Sequence, residues 1–166
     1  MVKLSIRVGA TVLLILALAS GLKCAQQVLN VTYEHHELLA QFKINNPCHV
    51  AIIVAAWCSD CVNSKQTQQN LRQLALSKGW SVLNADVGTR SQFSDANNYM
   101  RADPLYKVRG LPSLYTVVNN AITTSVVDQQ VYDQNLINQI TKVVSQGPPA
   151  SCNNSTPRKL PYPVLA

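Results

Sequence analysis

The chain carries little charge. Only 13% of its 166 residues are Asp, Glu, Lys or Arg. Surface polarity therefore falls to Gln, Asn, Ser and Thr, a pattern suited to an extracellular protein. The balance is basic, with a formal net charge of +6, but the positive residues are scattered. With no Lys/Arg run and no arginines interleaved with aromatics, nothing marks a nucleic-acid face, and no nucleic-acid partner is expected. No internal repeat is present, which excludes a repeat architecture. A structural zinc site needs four ligands, and the chain has no second closely spaced cysteine pair. His35 and His36 are adjacent on an expected helix and point about 100° apart, so they do not share a metal. Cys48-His49, at a strand entrance, does not complete a set. The ending Pro163-Val164-Leu165-Ala166 is no retention signal, which counts against residence in the endoplasmic reticulum.

What is present begins with an apolar leader. Lys3 and Arg7 precede the run Val8 to Ala19, broken only by Gly9 and Thr11, and Ala17-Leu18-Ala19 offers small residues for a peptidase. A membrane span takes about 20 apolar residues, so this shorter run reads as a secretory signal peptide over residues 1–20. The expected product is secreted, without stable membrane insertion. Lys23 before Cys24 argues against lipidation at that cysteine. A hydrophobic share of 47% is enough for one core, placed at residues 21–146. Residues 147–166 carry five prolines and read as a disordered tail.

The remainder is organised around Trp57-Cys58-Ser59-Asp60-Cys61. The stretch before it, Val50 to Ala56, is continuously apolar and rich in Val and Ile, as in a strand buried on both faces. The stretch after it, Val62 to Lys78, lacks Gly and Pro and sets Leu71, Leu74 and Ala75 on one side, as an amphipathic helix does. Cys58 thus falls near a helix N-terminus, where unpaired N–H groups and the helix dipole favour a thiolate. That is the setting of a redox-active dithiol.

Along the chain, Val28 to Val31 reads as a first strand. Tyr33 to Lys43 reads as a helix capped by Thr32, with Leu38, Leu39 and Phe42 inward. Gly79 suits a helix stop, and Trp80 to Asp86 a further strand. Gly88 to Asp103 is a polar excursion with a helix expected near residues 95–101. Leu114 to Val118 and Ile122 to Val127 flank Asn119-Asn120-Ala121, a hairpin signal because Asn tolerates positive φ. Leu136, Ile137, Ile140, Val143 and Val144 mark a last helix opening near Asp133. The order β-α-β-α-β-α-β-β-α predicts an α/β fold with a mixed sheet of four to five strands and helices on both faces.

Two of these motifs carry a resemblance. Trp57 to Cys61 resembles the thioredoxin active site, and Tyr106-Lys107-Val108-Arg109-Gly110-Leu111-Pro112-Ser113-Leu114 resembles its cis-proline segment. Asp60 before the second cysteine, and Asp86-Val87-Gly88 followed by Phe93 to Arg101, are similar to the thioredoxin-related W-C-x-D-C branch, the thioredoxin domain-containing protein 17 type. The likeness spans about residues 28–146. It implies the thioredoxin fold. It implies Cys58 as nucleophile, Cys61 as resolving thiol, Trp57 covering the pair, and a cis Pro112 that leaves the Leu111 backbone free to pair with substrate. Two departures stand out. Ser59-Asp60 replaces the usual Gly-Pro, and a carboxylate there opposes thiolate formation. Ile52 and Val82 occupy the positions of thioredoxin's buried Asp and its Lys, so Cys61 lacks that base.

The expected function is a secreted thiol–disulfide oxidoreductase acting on disulfide-containing proteins or small disulfides. An external thiol supplies electrons, and no cofactor is needed beyond the Cys58–Cys61 pair. The alternative is a non-catalytic binding module with that pair locked as a disulfide. Outside the motif, Cys24, Cys48 and Cys152 allow one bridge and one odd thiol. Cys24 with Cys152 would tie the two ends together, but the sequence does not choose. Asn30, Asn153 and Asn154 open glycosylation sequons.

Overall fold

The computed structural model describes residues 26–154. The expected signal peptide, Cys24 and the tail beyond Asn154 lie outside the described residues. Five strands form one sheet: β1 (Val28–Val31), β2 (His49–Val54), β3 (Ser81–Asp86), β4 (Ser113–Val118) and β5 (Ala121–Val127). Their spatial order is β1-β3-β2-β4-β5. The β1–β3 and β2–β3 pairs are parallel, and the β2–β4 and β4–β5 pairs are antiparallel. The helices are α1 (Leu38–Asn45), α2 (Ser59–Asn63), α3 (Lys65–Ser77), α4 (Arg90–Ser94) and α5 (Gln134–Ser145). This is the mixed α/β architecture that the element order predicts and that the resemblance implies. Among the described residues no helix is long and apolar enough to cross a membrane.

Strand β2 lies between β3 and β4, so its side chains alternate between two buried layers. Ala51 and Ile53 join Leu39, Phe42, Leu83 and Met100 on one face. Val50 and Ile52 join Leu71, Ala75, Trp80 and Ile140 on the other. A strand that must fill both layers cannot alternate polar with apolar, which is why Val50 to Val54 reads as one apolar run. The β4–β5 turn has Asn119 and Asn120 at φ 53° and 60°, the left-handed pair that a two-residue hairpin requires.

Several expectations shift. Residues 33–37 do not continue the first helix: Tyr33–His35 is a 3₁₀ turn, Thr32 makes no side-chain cap, and α1 starts at Leu38. Leu39 and Phe42 face inward, whereas Leu38, about 100° round from Leu39, is 48% exposed. The helix expected near residues 95–101 lies instead at Arg90–Ser94. There Thr89 Oγ1 accepts from the Gln92 N–H, and the Gln92 side chain accepts from the Thr89 N–H. This reciprocal cap starts the helix earlier than expected. The long dithiol helix breaks at Ser64, whose N–H and hydroxyl both bond the Asp60 carbonyl. The tail expected to be disordered from Gly147 is folded as far as Asn154. Ala150–Asn154 forms a 3₁₀ turn, and Cys152 is disulfide-bonded to Cys48, not to Cys24, at a Cα–Cα distance of 5.7 Å. A covalent bond outweighs the local composition.

At the start of β2 a polar cluster is buried. His49 is fully buried. Its Nδ1 donates to the Asn46 carbonyl at 2.7 Å, which leaves Nε2 to accept from the Tyr106 hydroxyl. Lys43 and Asp103 form an ion pair beside it, and Lys43 Nζ lies 5.8 Å from the Tyr106 ring centroid. Burial lowers the His49 pKa to about 4.

Candidate active site

At the carboxyl end of β2 the chain turns through Ala55–Trp57, and the Cys58 N–H bonds the Ala55 carbonyl at 3.2 Å. Cys58 then caps α2, in extended conformation, its sulfur accepting the Cys61 N–H at 3.2 Å. A thiol here takes the place that a Ser or Asp oxygen usually fills at a helix start. The Cys58 thiol also reaches the Leu111 carbonyl, 3.5 Å away. Both cysteines are free thiols and buried, with 7% and 5% exposure. The Leu111–Pro112 peptide bond facing them is cis.

Cys61 is the deeper of the two. Burial pushes its thiol well above the ordinary range, and the hydrogen bond with Cys58 adds to this. Asp60 contributes in the same direction and is the smallest of the causes. Ile52 is 4% exposed and Val82 fully buried, both in the layer under α3 and α5. No buried acid on β2 therefore serves Cys61. Replacing the Asp and Lys together leaves neither charge stranded in that layer.

Trp57 is pinned by the excursion after β3. Its Nε1 donates to the Gly88 carbonyl at 2.7 Å. Its ring tilts against Phe93 at 6.0 Å, and the Arg90 guanidinium stands 5.1 Å from the ring centroid. Ser59 is exposed and Asp60 half-buried. The Asp60 carboxylate accepts from the Tyr132 hydroxyl at 2.9 Å.

Together these residues enclose an open depression of about 240 Å³. Trp57, Arg90 and Phe93 form one side, Leu111 and Asp128 the other, with Cys58, Ser59 and Asp60 between them. A larger groove of about 340 Å³ lies between α3 and α5. Its lining of Leu71, Leu74, Ile137 and neighbouring amides and hydroxyls holds no thiol and no titratable side chain. The dithiol depression, by contrast, brings a thiol and a carboxylate together.

The structure thus gathers Trp57, Cys58, Ser59, Asp60 and Leu111 in one place, with cis Pro112 beside them. It sets Asn30 elsewhere, exposed on β1 and bonded to Asn84 at 2.9 Å, and Asn153 and Asn154 in the last 3₁₀ turn. Sequence reasoning missed Arg90, Phe93, Asp128 and Tyr132. The Thr89-x-x-Gln92 capping pattern was a usable signal for the first two. Nothing local marks Tyr132, which meets Asp60 across 72 positions.

The family model described as thioredoxin domain-containing protein 17-like, thioredoxin domain, matches residues 27–142. No curated protein matches the chain by sequence. Among solved structures, the germline-specific thioredoxin Deadhead of Drosophila melanogaster is 19% identical with a TM-score of 0.47, over 69% of this chain and 98% of its own. Fasciola hepatica thioredoxin is 19% identical with a TM-score of 0.44, over 70% and 98%. Spinach chloroplast thioredoxin f is 14% identical with a TM-score of 0.45, over 71% and 86%.

Proposed function

The chain belongs to the thioredoxin domain-containing protein 17-like family of thioredoxin domains, and from that premise we propose that it is a secreted thiol–disulfide oxidoreductase working through Cys58 and Cys61. One observation carries the reading. The Cys58 sulfur sits between the Cys61 N–H at 3.2 Å and the Leu111 carbonyl at 3.5 Å, at the floor of an open depression.

The Cys58 thiolate attacks one sulfur of a substrate disulfide. A Cys58–substrate S–S bond forms, the substrate's own S–S bond breaks, and its other sulfur leaves as a thiolate that solvent protonates. Cys61 then loses its proton to Asp60 or water and attacks the Cys58 sulfur, releasing the second substrate thiol. Two electrons have passed to the substrate, and the Cys58–Cys61 disulfide remains. An external dithiol returns it to the starting state. Because Cys61 is buried and held protonated, its deprotonation is the demanding step. The Leu111 backbone, which lines the depression, pairs with an extended substrate segment, and Trp57 shields the sulfurs from water on one side.

Secretion is part of the proposal. Its supports are the leader at residues 1–20 and the Cys48–Cys152 disulfide, since such bonds persist in oxidising compartments. Asn30, Asn153 and Asn154 are proposed as glycan acceptors.

The test uses chain begun at residue 21. It should reduce a peptide disulfide when supplied with dithiothreitol. Cys58→Ser should abolish turnover, and Cys61→Ser should accumulate the mixed disulfide, because release needs the second thiol. Wild-type turnover in Cys58→Ser would refute the assignment. Failure of wild type itself, with the pair resistant to reduction, would favour the binding-module alternative. Extracellular protein should begin near residues 20–22, and full-length chain in a membrane fraction would refute secretion.

A further inference from the structure

Between β5 and α5 the chain makes a 3₁₀ turn, Asp128–Tyr132. The turn is tightly held. Asp128, at φ 58°, donates its N–H to the Pro112 carbonyl at 2.8 Å. Val127 N–H bonds the Gln130 side chain at 3.0 Å. Val131 is 4% exposed in the layer under α3 and α5. Asp133 then caps α5 through the N–H groups of Asn135 and Leu136. Tyr132 is therefore placed by a buried residue on one side and a helix cap on the other.

Its own ring is 54% exposed, so core burial does not explain where it points. Its hydroxyl donates to the Asp60 carboxylate, with the Asn63 side chain also beside it. The turn thus touches both halves of the dithiol site: the proline loop through Asp128, and the dithiol helix through Tyr132. We propose that Tyr132 is a positioning residue that sets the redox balance of the Cys58–Cys61 pair by holding the Asp60 carboxylate in a hydrogen bond. The inference rests on the oxidoreductase reading and adds to it a residue outside the lining of the depression.

The physical link is electrostatic. A carboxylate near a thiolate disfavours it. A charge-assisted hydrogen bond from a phenol fixes that carboxylate and disperses its charge. Without the hydroxyl, Asp60 regains its full charge and its freedom to rotate. The thiolate-bearing reduced form is then less stable, the disulfide gains, and the pair becomes more reducing.

The experiment equilibrates the chain from residue 21 with glutathione buffers and reads the Cys58–Cys61 pair by alkylation and mass spectrometry. That readout separates this pair from Cys48–Cys152. In Tyr132→Phe the equilibrium constant for reduction by glutathione should fall three- to tenfold, a tenfold change being about 30 mV. Asp60→Asn alone should shift it the opposite way. Tyr132→Phe added to Asp60→Asn should change nothing more, because the amide carries no charge to disperse. The urea midpoint should stay unchanged in Tyr132→Phe, since the ring remains. An unmoved constant in Tyr132→Phe would overturn the proposal, as would an equal shift in both backgrounds. The equilibrium can be read whether or not any substrate is turned over. Lack of turnover in wild type would therefore count against the oxidoreductase reading and not against this coupling.

Discussion

Lowering the pH from 7 to 4 should remove about 3 kcal/mol of stability through one residue, His49. The imidazole is fully buried and neutral, its Nδ1–H given to the Asn46 carbonyl and its Nε2 accepting from Tyr106. Its pKa falls from 6.5 to about 4 in the folded chain, chiefly through burial. The Asn46 bond and Asp103 oppose the fall, and Lys43 assists it. Because the folded value is depressed, the unfolded chain takes up the proton first. The contribution is complete above pH 6.5, declines between 6.5 and about 4, and levels off below. At about 1.36 kcal/mol per pKa unit the window spans about 3 kcal/mol. That is a large part of the 5–15 kcal/mol typical of a domain. Urea unfolding at pH 7, 6, 5 and 4.5 measures it, with His49→Gln as the non-titrating comparison. The variant should start less stable and lose stability with a shallower slope. Parallel slopes in the two proteins would refute the reasoning and mean that His49 protonates without leaving its site.

Three further outcomes are expected. Asp103→Asn should strand the Lys43 ammonium, whose side chain is only 19% exposed, and cost about 3–5 kcal/mol. Lys43→Met combined with Asp103→Asn should recover most of that, because the amide oxygen can still accept from the Leu105 and Tyr106 N–H groups, and a larger loss in the double variant would show that the pair is more than self-compensating. Cys48→Ser with Cys152→Ser opens a link between residues 104 positions apart. Chain entropy puts this at about 4–5 kcal/mol, and a urea midpoint equal to wild type would show that the last turn holds without it. Gly88→Ala places a Cβ 2.3 Å from Gln92 Oε1, at φ +83°. Left-handed strain and loss of the Thr89–Gln92 cap together should cost about 2–3 kcal/mol. Trp57 fluorescence should shift with it, because Gly88 holds the indole; an unshifted spectrum would detach the excursion from the site.

Much of the architecture is legible because the sequence is locally consistent. The apolar run of β2, the Asn-Asn hairpin and the Asp133 cap each match the element they build. The dithiol is legible because its two cysteines are neighbours in the chain. What stays hidden depends on distance. Tyr132 meets Asp60, Arg90 meets Trp57 and Cys48 meets Cys152 only after the sheet has formed, and no local pattern encodes those pairings. The misplaced helix at Arg90–Ser94 is a different case. Its capping box is written in Thr89-x-x-Gln92, a local signal that places the start at Arg90. Leu38 shows the limit of apolarity alone: it is as hydrophobic as Leu39, but one residue on a helix is enough to turn it to solvent.

The two sulfur pairs stand at opposite ends of β2. Cys48 precedes His49, where the strand begins, and Cys58 follows the turn after Val54, where it ends. Six residues of strand rise about 20 Å, so the thiols of Cys58 and Cys61 cannot reach the bond at Cys48 while the sheet is intact. Intramolecular scrambling is thereby blocked by a rigid spacer, with no need for a difference in reactivity. The barrier lasts only as long as the fold. An unfolded chain would bring five sulfurs, Cys24 among them, into one exchanging pool, and refolding in mild oxidant should yield mispaired isomers in proportion to the time spent unfolded. Dithiothreitol supplied to reduce the Cys58–Cys61 pair also faces the bond at Cys48, so rates gathered at high reductant risk describing a chain whose last turn has come loose.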